Sequence, residues 1–334
     1  MKVVIENHIP YIKGLLEPVA GRVVYAPASD ITRELVRDAQ VLLTRTRTRC
    51  DAALLGGSTV EFVGTATIGT DHIDLDYCRS HGITVASAPG CNAPAVAQWV
   101  LATLAQWLRR NGRRPSDITL GVVGVGHVGS IVARWARQLG MRVLLNDPPR
   151  ASREGPDAFV TLDHIKRHCD VVTFHTPLTR QGRHATWHLC DARFLDGARA
   201  QLVMNAARGG IADEEALLAW HGDVAIDCWE GEPAIGEALL ERAFVATPHI
   251  AGYSRQGKLR GTAQIIEALN AHYGWHLTLP MADTPAAGAA SVTLAGVLAS
   301  YDPLADTALL KARHTPALFE ELRNHYNLRE EVKE

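Results

Sequence analysis

Apolar positions fall in short runs separated by amphipathic segments. Val3–Ile5, Arg22–Ala26, Val41–Thr44, Phe62–Thr67 and Ile83–Ala88 read as strands. Between them lie helical patterns such as Ile31–Ala39. Strands alternating with helices predict a parallel sheet covered by helices on both faces. Pro89-Gly90 then breaks the chain, and Ala95–Arg110 reads as a long, mostly apolar helix. A second alternating run begins at Thr119–Gly126. It continues through Arg142–Asn146, Val171–Thr176, Gln201–Ala206, Val224–Cys228 and Ala243–Pro248. After His249 the pattern turns helical again, over about residues 254–273. Residues 279–290, rich in Pro, Ala and Gly, read as a linker. Beyond it come an expected strand, Ser291–Gly296, and a charged helix, Ala317–Tyr326. That tail is too small to bury a core of its own, so it is expected to pack on another element or another subunit. The fold class is α/β, with two doubly wound parallel-sheet lobes.

Composition narrows the partners. The chain has 334 residues, 47% of them apolar, and a formal net charge of -2. A general binder of nucleic acid or anionic membrane is not expected from that balance, so any basic feature must be local. The six cysteines, Cys50, Cys78, Cys91, Cys169, Cys190 and Cys228, are scattered without CxxC or zinc-type spacing, and no metal is expected. The start, MKVVIENHIP, has neither signal- nor transit-peptide character, and no uncharged apolar run is long enough for a membrane span. A reduced, cytoplasmic, soluble protein is the expectation.

Three stretches carry candidate chemistry. Gly124-Val125-Gly126-His127-Val128-Gly129 is a GxGxxG that follows an apolar strand and opens a helix, and Asp147 ends the next strand. In that context the glycines permit a tight turn, a close approach of backbone to pyrophosphate, and close helix–strand packing. The helix N-terminus offers free N–H groups to phosphates. Asp147 suits the adenosine-ribose hydroxyls and would repel a 2′-phosphate, which favours NAD over NADP. Next, Arg208 in MNAARGG, Glu232 in DCWEGEP and His249 in TPHIAGY each follow a strand candidate. Open α/β sheets bind ligands at the carboxyl ends of their strands. Oxidising a 2-hydroxy acid needs a base for the hydroxyl proton and a cation for the carboxylate. His249 suits the first role, with Glu232 to stabilise the imidazolium, and Arg208 suits the second. Finally, LLTRTRTRC places Arg45, Arg47 and Arg49 at alternate positions from Leu42 to Cys50. It reads either as a charged edge strand or as a loop at a strand end that grips an anion.

These features together resemble the D-isomer-specific 2-hydroxyacid dehydrogenases. The resemblance is carried by FVGTATIGTDHID, APGCNAPAVAQWV, NDPPR, TFHTPL, DCWEGEP and HIAGYSRQGKLRGTAQ, and it is weakest after about residue 280. It implies that His249 is the proton acceptor in oxidation, Glu232 its partner and Arg208 the carboxylate ligand. Asp147, Thr176, Ala206, Ala207, Arg208, Asp227 and Gly252 match cofactor-contacting positions, beside the glycine turn at Gly124, Gly126, His127, Val128 and Gly129. Thr46, Thr67 and Tyr253 match substrate-binding positions. The branch most resembled acts on a phosphorylated sugar acid, which turns Arg45 and Arg47 into phosphate ligands and predicts a loop there. A discontinuous substrate domain (1–98 plus 254–280), an NAD-binding Rossmann domain (99–253) and a C-terminal dimerisation domain (285–334) are implied. So are a homodimer and a 2-oxo acid as a possible electron acceptor. Gln98 stands where the family usually has Glu, the segment from Arg208 to Glu232 is short, and the tail is compact. Two alternatives remain: a relative such as a phosphoglycerate dehydrogenase, and a non-catalytic NAD sensor on the same fold.

Overall fold

The computed structural model describes residues 1–279, 292–313 and 315–332, so most of the expected linker lies outside the described residues. Contacts divide the chain into two units. One comprises Met1–Asn92 with Arg255–Ala286, the other Ala93–Ser254 with Ala287–Glu334.

In the first unit, β1 (Lys2–Glu6), β2 (Arg22–Ala26), β3 (Val41–Thr44), β4 (Phe62–Thr65) and β5 (Thr84–Ala86) form an all-parallel sheet ordered β2-β1-β3-β4-β5. Period-2 alternation sends Val4, Leu42 and Val63 into one core and Val3, Ile5, Val41, Leu43 and Phe62 into the other. Both faces are buried, as a parallel sheet requires. The second core is completed by Ile265, Ile266 and Leu269 of the helix Arg255–Tyr273. The helix that follows His249 therefore packs within the unit of the first ninety residues.

In the second unit, β6 (Thr119–Val123), β7 (Arg142–Asn146), β8 (Val171–Phe174), β9 (Leu202–Asn205), β10 (Asp223–Ile226) and β11 (Val245–Ala246) form a parallel sheet ordered β11-β10-β9-β8-β6-β7. The helix Ala93–Arg110 buries nearly its whole length, including Trp99 and Trp107, on one face. Leu310 and Phe319, from the C-terminal helices Pro303–Ala312 and Pro316–Asn324, join the core of the other face. The tail thus packs within this unit. Among the described residues no helix is long and apolar enough to cross a membrane.

Two expectations change. Ser291–Gly296 is not a strand: Leu294–Ser300 is a helix, and the Thr293 hydroxyl caps it by accepting the Gly296 N–H at 3.0 Å. Ser291 itself lies outside the described residues. The β-branched Val292-Thr293 pair imitates a strand, but the cap decides. The edge-strand reading of Arg45–Arg49 also fails, because β3 is the central strand and ends at Thr44. The residues after it form a turn, as the phosphate-loop reading requires.

Candidate active site

The glycine turn joins β6 to the helix His127–Gln138. Gly124 lies at φ +86°, where a β-carbon would sit 2.7 Å from the His175 carbonyl carbon. A β-carbon on Gly129 would lie 2.0 Å from the Gly124 oxygen, so helix and turn close only around glycine. Gly126 differs: beyond its chain neighbours, a β-carbon there would meet no atom of the described residues within 4 Å. It caps the helix without a side-chain hydrogen bond, and the first turn carries no acidic residue. His127 and Val128 thus open an uncapped helix N-terminus suited to an anion. Asp147 is tied to the turn, since Oδ2 accepts the Val125 N–H at 2.8 Å. Oδ1 accepts the Arg150 N–H at 3.0 Å and caps the next helix. Thr176 follows β8, and its buried Oγ1 has no hydrogen-bond partner among the described residues. An uncapped helix end, an open backbone at Gly126 and an orphaned hydroxyl together fit a dinucleotide. Asp147, Gly126, His127, Val128 and Thr176 are the residues that would hold it.

Beyond β9, the Asn205 side chain organises the turn that carries Ala206, Ala207 and Arg208. Its Oδ1 accepts the Ala207 N–H at 3.1 Å, and its Nδ2 donates to the Arg208 and Cys228 carbonyls at 2.9 and 3.3 Å. Arg208 is half-buried, and its guanidinium donates to the Ala207 carbonyl at 2.8 Å.

Glu232 and His249 meet. His249 Nδ1 lies 2.8 Å from Glu232 Oε2, and Glu232 Oε1 accepts the Trp229 N–H at 2.8 Å. Burial pushes the Glu232 carboxyl up. The His249 hydrogen bond and charge, the Trp229 N–H and the nearby Arg323 together hold it below the usual carboxylate range. His249 itself sits at φ +56°, a sparsely populated region for a non-glycine residue. Asp227 secures this backbone. It is 1% exposed, and its carboxylate accepts the Thr247 hydroxyl (2.6 Å) and the N–H groups of Ile250 (2.7 Å) and Ala251 (3.0 Å). Burial raises the Asp227 carboxyl despite these bonds and the His249 charge. Gly252 and Tyr253 come directly after, and the Tyr253 N–H donates to the Ile250 carbonyl at 2.8 Å.

In the first unit, Arg45, Thr46 and Arg47 form the turn after β3. The Arg45 N–H donates to Glu6 Oε2 at 2.7 Å, and its guanidinium to the His8 carbonyl at 3.3 Å. This joins the carboxyl ends of β1 and β3, where the strand order reverses and such sheets bind ligands. Thr46 and Arg47 are exposed. Thr67 lies past the neighbouring strand end, its hydroxyl 2.7 Å from that of Thr65. Arg49 turns to Asp51 at 2.8 Å and belongs to the cap of the helix Ala52–Leu55.

Sequence reasoning missed several groups. Buried Thr48 Oγ1 and His72 Nε2, on segments joined by the Cys50 N–H and the His72 carbonyl, have no hydrogen-bond partner among the described residues. Arg323, from the C-terminal helix, lies 4.0 Å from Glu232 Oε2. Glu214 accepts the Glu230 N–H at 2.6 Å, and its carboxyl is pushed up to about 7 by burial and by neighbouring carboxylates. His72 lies in FVGTATIGTDHID, which carries the resemblance, but nothing local singles out its ring or the Arg323 guanidinium.

Known proteins resemble this chain in sequence and in fold. Residues 92–251 match the family model for the D-isomer specific 2-hydroxyacid dehydrogenase, NAD binding domain. The chain is 44% identical to an erythronate-4-phosphate dehydrogenase of Bacteroides thetaiotaomicron, over 100% of this chain and 98% of that one. It is 39% identical to the enzyme of the same name from Cronobacter sakazakii, over 99% and 92%. Among solved structures, the NAD+-bound 3-phosphoglycerate dehydrogenase of Entamoeba histolytica matches with a TM-score of 0.69 at 23% identity, covering 85% of this chain and 99% of that one. The D-lactate dehydrogenase of Aquifex aeolicus, complexed with NAD and lactic acid, matches at 0.65 and 22%, covering 81% and 95%.

Proposed function

The chain belongs to the D-isomer specific 2-hydroxyacid dehydrogenase family, in its erythronate-4-phosphate dehydrogenase branch, and from that premise we propose that it oxidises 4-phospho-D-erythronate to 2-oxo-3-hydroxy-4-phosphobutanoate with NAD. In bacterial pyridoxine biosynthesis this reaction would feed the route to pyridoxal phosphate. The observation that carries the residue assignment is the His249–Glu232 pair, with Nδ1 held at 2.8 Å.

Bound NAD supplies the hydride acceptor. Because Nδ1 faces Glu232, Nε2 is the nitrogen left to take the hydroxyl proton as the C2–H bond gives up its hydride. The Glu232 carboxylate stabilises the imidazolium that forms and fixes the neutral ring's tautomer. Arg208 holds the substrate carboxylate beside the reacting carbon, where its fork restricts the orientation of C2. Tyr253 and Thr67 are substrate ligands in this reading. Asp147, Thr176, Ala206, Ala207 and Gly252 line the dinucleotide with the glycine turn. Asp227 acts there by fixing the loop from Thr247 to Ala251. Arg45, Thr46 and Arg47 bind the phosphate, a role supported by their position at the strand-order reversal of the first sheet. The same reading includes a cytoplasmic location, a homodimer and a 2-oxo acid as electron acceptor.

The test is turnover of 4-phospho-D-erythronate by the purified protein, with and without 2-oxoglutarate, beside 3-phosphoglycerate. Preference for the four-carbon acid, abolished in His249→Ala, is expected. Preference for 3-phosphoglycerate would overturn the substrate assignment, and full activity of the variant would overturn the assignment of the base.

A further inference from the structure

The C-terminal segment reaches the paired Glu232 and His249 twice. Arg329 is buried, and all of its N–H donors find acceptors. Nε donates to Gln98 Oε1 at 3.1 Å. One terminal nitrogen donates to the Ile250 carbonyl at 3.1 Å and the Tyr326 hydroxyl at 3.2 Å, and the other to the carbonyls of Ala95 (3.1 Å) and Ala251. Arg329 thus grips the carbonyls of the two residues whose N–H groups Asp227 holds. It anchors the tail to the loop of His249.

Arg323 lies earlier in the same segment. It is 21% exposed, against 18% for Glu232, and a guanidinium nitrogen lies 4.0 Å from Glu232 Oε2, the oxygen that faces His249. The Tyr253 hydroxyl accepts a hydrogen bond from Arg323, and the Glu320 carboxylate is a further neighbour. We propose that Arg323 is a positioning residue of the reaction: it aims the Glu232 carboxylate at His249 Nδ1 and keeps that carboxylate ionised. This rests on the assignment of His249 and Glu232 as the working pair. A guanidinium at that place opposes protonation of the pair, so the pair stays competent to accept a proton at lower pH. It also ties Tyr253 to the same charge, so one side chain registers the tail, the pair and a candidate substrate ligand together.

Charged and titratable groups act on the pair or on its direct neighbours from several elements. His249 comes from the loop after β11, Arg323 and Glu320 from the C-terminal helix, and Tyr253 from the loop beyond His249. Asp227 and Cys228 follow β10, Arg208 follows β9, and Glu214 starts the helix Glu214–Ala219. Glu214, pushed up to about 7 and acting on Glu232, adds a titration of its own near the pair. The pH profiles are therefore recorded in the Glu214→Gln background as well.

The experiment compares Arg323→Met and Arg323→Lys with the unaltered chain, measuring kcat, KM for 4-phospho-D-erythronate, NAD affinity and the pH profile of kcat. In Arg323→Met, kcat should fall about tenfold, the scale of one charge-assisted contact. The acid limb should move up by about half a unit to one unit, with NAD affinity within about twofold. Arg323→Lys should restore the limb. A limb that stays in place overturns the proposal, whether kcat falls or not. A rise in KM alone would make Arg323 a substrate ligand and overturn it too. His249→Ala runs alongside: if that variant turns over normally, the pair assignment itself has failed, whereas an inactive His249→Ala beside an unmoved Arg323→Met limb removes this proposal alone.

Discussion

Replacing Glu232 by Gln removes one charge and almost no volume, and the surrounding contacts set the cost. Oε1 accepts the Trp229 N–H and Oε2 faces His249 Nδ1, both at 2.8 Å. A glutamine has one acceptor and one donor where the carboxylate had two acceptors. If its oxygen faces Trp229, its NH2 faces His249. Nδ1 must then accept, the ring proton moves to Nε2, and Nε2 cannot take a proton from the substrate. If its oxygen faces His249, two donors oppose one another at Trp229, at a cost of about 1–3 kcal/mol. In that arrangement the imidazolium also loses a charged partner, worth about 1.5–3 kcal/mol.

The two terms of the second arrangement sum to roughly 2.5–6 kcal/mol, a fall in kcat of about 10² to 10⁴. The first arrangement, with the wrong tautomer, falls in the same range by analogy with the equivalent change in a serine protease triad. The assay is steady-state oxidation of 4-phospho-D-erythronate with 2-oxoglutarate present. NAD affinity of the variant is measured in parallel, to show that the dinucleotide site survives. The ¹⁵N shifts of the His249 imidazole report the tautomer. A Glu232→Gln variant that binds NAD normally and keeps kcat within tenfold of the unaltered chain would refute the role of this pair.

The same geometry sets other outcomes. Gly126→Ala adds a β-carbon that, beyond its chain neighbours, meets no atom of the described residues within 4 Å, so its melting temperature should match the parent within about 2 °C. Its NAD affinity should nevertheless drop at least about tenfold, because the methyl occupies the side on which the backbone meets the pyrophosphate. Equal affinity would exclude Gly126 from the cradle. The double variant Arg45→Ala, Arg47→Ala should raise KM for the phosphorylated acid by about tenfold or more while leaving NAD affinity intact; an unchanged KM would return the stretch to a structural role. Glu214 gives a pH signature. Its carboxyl rises from an ordinary value of 4.5 to about 7, so between those values the native state binds more protons than the unfolded chain. Stability contributed by this group therefore falls as pH rises through that window. Glu214→Gln should melt about 2 °C higher than the parent at pH 8, with the gain gone at pH 4.5, by differential scanning calorimetry. A gain at pH 4.5 that vanished at pH 8 would reverse the sign and refute the burial argument.

How far the sequence could be read depended on where each side chain's partners lie along the chain. Strands of the parallel sheets were legible because both of their faces are apolar, and Val3–Ile5, Val41–Leu43 and Leu202–Met204 say so within a few residues. Residues directly past a strand end were legible for the same reason: Arg208, Thr176 and Arg45 inherit their positions from a neighbour that the pattern identifies. Val292-Thr293 misled because a β-branched pair carries no mark of the cap that it supplies. The alternation of Arg45, Arg47 and Arg49 imitated a strand, yet the third arginine belongs to a helix cap with Asp51. Gln98 was visible only as an oddity. Its meaning, a neutral acceptor for the buried Arg329, lies 231 positions away.

That last distance explains why the support of His249 could not be foreseen. A histidine at φ +56° holds its shape only if the surrounding bonds outweigh the preference of its backbone. Those bonds come from Asp227, which takes the N–H groups of Ile250 and Ala251, and from Arg329, which takes their carbonyls. Carboxylate and guanidinium thus grip the N–H and C=O groups of the same two residues, one from the end of β10 and the other from the far tail. Without Asp227 the Ile250 and Ala251 N–H groups would lose their acceptor, and without Arg329 the Ala251 carbonyl would lose its guanidinium donor while the Ile250 carbonyl kept only the Tyr253 N–H, at a cost of about 1–3 kcal/mol for each unmatched group. The tail is therefore part of what holds the His249 loop, and under the proposed role of His249 as the base, Arg329→Met should lower kcat together with the melting temperature, whereas Arg323→Met should lower kcat alone.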